Sequence, residues 1–208
     1  MLKVWGRNTS SNVQKVMWAL GELGLACERI DIGGPFGKNR EQDYLAKNPN
    51  GLVPMLEEED GFLLWESNSI VRYLAAKHGS RLLEPADLRS RALAHKWMDW
   101  QLSVMGPAMH PLFHGMVRTP PAQRDHKAID AGKAATTAAA KILDDQLGKT
   151  AYLAGADFSY GDIPPAIMIY RFIRLVPDRP AMPSLDRWYA SISARQPFKD
   201  HVLAPPFV

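Results

Sequence analysis

Three groups of residues have types and spacing suited to chemistry. The first is Asn8, Thr9, Ser10, Ser11 and Asn12, five small polar side chains in a row between an apolar stretch and an amphipathic one. One such residue is enough to cap a helix, so five supply hydrogen-bonding groups beyond that need. The second is Val53-Pro54, inside the apolar run "LVPML". A proline there fits a sheet edge or a cis turn. A cis turn would leave the amide and carbonyl of Val53 free to pair with an extended peptide; a plain edge strand without a ligand is the other reading. The third group is Glu66-Ser67. Ser67 could cap a following helix beside amides that favour an anion, while Glu66 could hold an ammonium. Together they would suit an α-amino acid, and an ordinary cap with an exposed acid is the alternative.

The elements that must position these groups follow in order. Residues 2–5 read as a strand, and Val13, Val16, Met17 and Leu20 fall at helical spacing before a stop at Gly24. "CERIDI" is a second strand, followed by the loop "GGPFGKNRE" and a short helix around Asp43 to Ala46. "LVPMLEEEDGFLLW" reads as two strands joined at Asp60-Gly61. Ile70, Val71 and Leu74 then mark a helix to about Lys77. The order is βαβαββα, with a parallel, right-handed crossover between the first two strands.

From about residue 87 the strand signals vanish. A long helical pattern over 88–114 should bend at Gly106-Pro107. A second, over 122–147, should end at Gly148 in the left-handed conformation. Further helices are expected from Ser159 to Val176 and from Ser184 to Arg195. The expected domains are therefore 1–78 (α/β), a linker at 79–86, and 87–208 (all-α).

Composition narrows the function. The 208 residues are 46% hydrophobic, enough for a sizeable core, and a net charge of +3 is spread along the chain rather than gathered. No nucleic-acid surface is expected. A single cysteine, Cys27, excludes an internal disulfide and a CxxC pair, which favours a reducing compartment. The start of the chain lacks a signal-peptide pattern and no stretch approaches ~20 apolar residues, so a cytoplasmic protein without a membrane segment is expected. His110 and His114 stand at i, i+4 but have no third ligand near in sequence, so no metal is expected.

With "SSNVQKV", "NPNGLVP", "WESNSIVRYLA" and "GADFSYGDI", the sequence resembles the glutathione S-transferase family, in particular bacterial members related to the theta, beta and nu classes. The resemblance spans essentially the whole chain. It implies a thioredoxin-like N-terminal domain, an all-helical C-terminal domain, glutathione as co-substrate, a small hydrophobic electrophile as the other, a role in detoxification, and a homodimer. It also implies roles for residues. Ser10 would donate to the glutathione sulfur with Asn12 assisting, and Ser11 is the alternative donor. Val53, followed by Pro54, would pair with the cysteinyl backbone, and Glu66 and Ser67 would hold the γ-glutamyl group. Asn39, with Lys38 and Arg40, aligns best with the glycyl-carboxylate ligand, although a solvated basic loop is the alternative.

Farther along, Met105, Met109 and Phe113 would face the electrophile, or else form plain core. Trp97 and Trp100 would pack between helices or at a dimer interface. Ser159 and Asp162 would form a capping box that serves folding. The mechanism that follows is thiol activation by hydrogen bonding: a thiol of pKa about 8.5 is mostly protonated at neutral pH, and a hydroxyl donating to S⁻ lowers that value. The activity expected is transfer of glutathione to electrophiles. The alternatives are a glutathione-dependent peroxidase or disulfide reductase, and a non-catalytic interaction protein on the same fold. The intact set Ser10, Val53-Pro54 and Glu66-Ser67 argues against the last.

Overall fold

Leu2–Trp5 forms strand β1, followed by helix α1 (Ser11–Glu22) and strand β2 (Cys27–Ile30), in a computed structural model that describes residues 1–78 and 83–208. Next come α2 (Gln42–Leu45), β3 (Met55–Glu57), β4 (Leu63–Trp65) and α3 (Ser67–Lys77). The sheet order is β2-β1-β3-β4; β1 and β2 are parallel and the other pairings antiparallel. This is the βαβαββα order expected from the sequence.

Alternation along the strands sorts the side chains onto two faces. Val4 pairs with Leu56 and both are fully buried. Trp5 pairs with Met55 on the opposite face, in a cluster with Ile32 and with Tyr44 of α2. Helix α1 packs against α3 and buries Val13, Val16 and Leu20 of the expected stripe together with Trp18, which the spacing did not mark, while Met17 is only half-buried. It ends where Gly24 takes φ +66°, and the Leu25 amide donates back to the Leu20 carbonyl at 3.0 Å.

The chain divides into two compact units, Met1–Glu84 with Gln196–Phe207, and Pro85–Arg195. Of the linker expected at 79–86, residues 79–82 lie outside the described residues. The second unit holds α4 (Leu88–Trp100), α5 (Gly106–Phe113), α6 (His126–Leu147), α7 (Ile163–Leu175) and α8 (Pro183–Ser193). Helices α4 and α5 are joined by a π-helical turn, Gln101–Met105, and a second one, His114–Arg118, prolongs α5. Pro107 follows that π-helical turn in a helix that runs on unbroken, with Met105 and Gly106 both right-handed, and it has no amide hydrogen to give to the turn before it. Gly148 has φ −67°, right-handed rather than left-handed as expected.

Helix α7 begins at Ile163, with Ser159 and Asp162 folded into the turn before it. The Asp162 carboxylate accepts from the amides of Leu153 and Ser159, both at 3.0 Å, and from Trp188 Nε1 at 2.9 Å. The final segment departs from the expected boundary. Gln196–Phe207, assigned by the sequence to the helical half, belongs to the first unit, where Phe198 meets Trp18 of α1 edge-on at 4.8 Å. No helix among the described residues is long and apolar enough to cross a membrane.

Candidate functional site

A cleft in the first unit brings together five of the residues singled out by sequence: Asn12, Val53, Pro54, Glu66 and Ser67. They come from the first turn of α1, the approach to β3, and the β4–α3 handover, three places the sheet holds side by side. The cleft adds Asn48, Asn50, Leu52 and Trp65, to which the sequence reading gave no role. The motif containing three of them, "NPNGLVP", carried a turn signal, since asparagine side chains bond the backbone two residues on. Here the Asn50 amide donates to Asn48 Oδ1 at 3.2 Å.

Helix α1 begins at Ser11, with Ser10 as its N-cap residue at φ −78° and ψ 122°. Ser10 is buried, 9% exposed, yet its hydroxyl makes no capping bond. The loop is fixed by other groups: the Ser10 amide donates to the Arg7 carbonyl at 3.2 Å, and Gln14 Nε2 donates to the Asn8 carbonyl at 3.1 Å. Asn12 is exposed, and its Oδ1 accepts from the Ser67 hydroxyl at 3.4 Å, which ties the start of α1 to the start of α3.

Helix α3 starts one residue earlier than a Ser67 cap would require. Glu66 occupies the N-cap position and Ser67, 4% exposed, is the first helical residue. Glu66 has φ +72°, uncommon for a side chain other than glycine. Its exposed carboxylate has no partner among the described residues. The Val53–Pro54 peptide bond is cis. Neither the N–H nor the C=O of Val53 makes a hydrogen bond among the described residues.

Other expected members stand elsewhere. Ser10 and Ser11 precede Asn12 outside the cleft lining. Lys38, Asn39 and Arg40 do not line it either. Asn39 Nδ2 donates to the Gly51 carbonyl at 2.7 Å and Arg40 Nη1 to the Asn50 carbonyl at 3.2 Å, so both are engaged with the chain itself. Met105, Met109 and Phe113 are buried in the second unit, Met105 completely, and Arg171 lies over the Phe113 ring at 3.9 Å. That burial corresponds to the plain-core reading of the stripe. Trp97 is buried and meets Trp100 edge-on at 5.3 Å. The rings of His110 and His114 lie 5.5 Å apart at the surface.

The chain's one thiol is poorly suited to be the nucleophile. Cys27 on β2 is half-buried, and burial pushes its pKa up, with Arg29 partly opposing. Cys27 does not line the cleft either.

Comparison with known proteins agrees with the geometry. Residues 5–82 match the family model for the glutathione S-transferase N-terminal domain, and residues 104–196 match that for the C-terminal domain. The chain is 43% identical over 206 residues to glutathione S-transferase GstB of Escherichia coli K12, covering 99% of each chain. It is 32% identical to glutathione S-transferase 3 of Zea mays, covering 99% of this chain and 95% of that one. Among solved structures, the theta class glutathione S-transferase of Xanthomonas axonopodis pv. citri with glutathione bound superposes with a TM-score of 0.94 at 40% identity, over 100% of this chain and 99% of that one.

Proposed function

The chain belongs to the glutathione S-transferase family, and from that premise we propose that it joins reduced glutathione to hydrophobic electrophiles, with the Ser10 hydroxyl stabilising the thiolate. Glu66 would face the γ-glutamyl ammonium, and Ser67 with the first amides of α3 would take the γ-glutamyl carboxylate. The free N–H and C=O of Val53 would pair with the cysteinyl backbone. The glutathione bound to the Xanthomonas relative supports glutathione as co-substrate. On this reading the protein acts as a cytoplasmic homodimer.

One observation carries the mechanism: Ser10 is a buried N-cap residue whose hydroxyl does no capping. A donor held there, with the Asn12 amide and the dipole of α1 behind it, favours S⁻ over SH. Lowering the thiol pKa by about two units takes about 2.7 kcal/mol, within reach of one or two charge-assisted hydrogen bonds. The thiol proton passes to water. The sulfur then forms a bond to the electrophilic carbon as the leaving group departs with its electron pair.

The test is turnover with glutathione against an aryl halide, an organic hydroperoxide and a mixed disulfide, run side by side. Conjugation of the aryl halide is expected. Turnover of the hydroperoxide or disulfide alone would assign the peroxidase or reductase reading instead, and no turnover of any would contradict an enzymatic role.

A further inference from the structure

We propose that Asn39, Arg40, Tyr44 and Asn48 are positioning residues that clamp the chain over 50–52 and so aim the backbone of Val53 at the peptide part of glutathione. The inference rests on the glutathione reading above and adds to it the device that makes the backbone contact specific.

Three successive carbonyls are each held by side-chain donors. Arg40 Nη1 donates to Asn50 O at 3.2 Å, and Asn39 Nδ2 to Gly51 O at 2.7 Å. Leu52 O accepts twice, from the Tyr44 hydroxyl at 2.6 Å and from Asn48 Nδ2 at 2.9 Å. Asn48 also receives the Asn50 amide on its Oδ1, and its carbonyl takes the Gly51 amide at 3.0 Å. The carbonyls of this loop are thus taken one after another, and that run stops at Val53, whose N–H and C=O have no partner among the described residues.

At residue 52 burial does not do this work. The Leu52 side chain is 59% exposed, so no apolar anchor fixes the loop at that point, while the clamp's inner members Tyr44 and Asn48 are 4% and 1% exposed. The Val53 side chain packs against the cluster of Ile32, Tyr44 and Met55. Its backbone is thereby held with the polar atoms unused. Gly51 completes the arrangement: it has φ +61°, and a Cβ there would stand 2.8 Å from both Asn39 O and Arg40 Nη1. The donors close onto a residue that has no side chain to obstruct them.

Backbone pairing with a short peptide needs both partners aligned to within tenths of an ångström, and a strand edge normally gains that alignment from its neighbours. Val53 precedes β3 and lacks such neighbours on its free side. The side-chain clamp replaces them.

The test measures glutathione affinity by calorimetry, with Michaelis constants for both substrates, in wild type, Tyr44→Phe and Asn39→Ala. Tyr44→Phe keeps the buried ring and deletes one donor to Leu52 O; Asn39→Ala deletes the donor to Gly51 O from a half-buried position. Each should weaken glutathione binding about fivefold, the worth of one hydrogen bond, and raise KM for glutathione alike. The turnover number at saturating glutathione and KM for the electrophile should stay unchanged, and the unfolding midpoint should confirm that both variants are folded. A purely structural role would lower the midpoint and leave KM for glutathione alone. Unchanged affinity in both folded variants would overturn the clamp while leaving the glutathione site standing. Failure of wild type itself to bind glutathione would overturn both.

Discussion

Glu66 shows how a single residue carries the argument for the site. Its φ of +72° costs a side chain other than glycine about 1–3 kcal/mol, and its carboxylate has no partner among the described residues. Both facts fit a charge set aside for a ligand. Glu66→Ala should weaken glutathione binding about tenfold by removing the counter-charge of the γ-glutamyl ammonium, read by calorimetry at constant ionic strength; unchanged affinity would remove Glu66 from the site. Residues of this kind were legible in the sequence because their signal is local: a proline inside an apolar run, an acid and a serine at a strand-to-helix handover. The basic loop was not. Three polar residues at 38–40 look alike on paper, and only the fold shows that Asn39 and Arg40 spend their donors on the carbonyls of residues 51 and 50.

Among the elements, the turn before α7 makes a prediction about pH. Asp162 is fully buried, and desolvation pushes its carboxyl up to about 6, against the opposing pull of the Leu153 and Ser159 amides, Trp188 Nε1 and the Ser159 hydroxyl. The folded value lies above the unfolded one of about 3.9. Its contribution to stability is therefore fully present below about pH 4 and is lost as the pH rises through about 6. Asp162→Asn removes the titration and turns an NH₂ toward two donors, a loss of about 1–3 kcal/mol. Urea unfolding from pH 4 to 7 should show the advantage of wild type over Asp162→Asn shrinking as pH rises; an advantage that grows or stays level would contradict the buried-acid account. Element order and type were legible from hydrophobic period and turn residues. Element ends were less so: Gly148 is compatible with either hand of backbone, and the sequence does not say which one its neighbours impose. A stripe such as Met105, Met109 and Phe113 marks a helix face, but its spacing cannot tell whether another helix covers that face.

For the whole molecule, the sequence order suggested a clean division at the linker, yet Gln196–Phe207 belongs to the first unit. Chain order does not record which unit a tail's Phe198 will find. Association is the second question at this scale. Trp97 is buried and so unavailable to a partner, whereas Leu93, Leu102 and Val104 are exposed in the second unit, and Phe62 and Trp65 in the first. Large apolar side chains at the surface of both units fit a homodimer. Sedimentation at micromolar concentration should give a species of twice 23.2 kDa; a sole species at the monomer mass would exclude it. The central claim, thiol activation by Ser10, is tested most directly by titrating the thiolate absorbance of the glutathione complex against pH in wild type and Ser10→Ala. The account predicts a bound-thiol pKa well below about 8.5 in wild type and a return toward that value in Ser10→Ala, with glutathione affinity much less changed. An identical titration in the two proteins would contradict it.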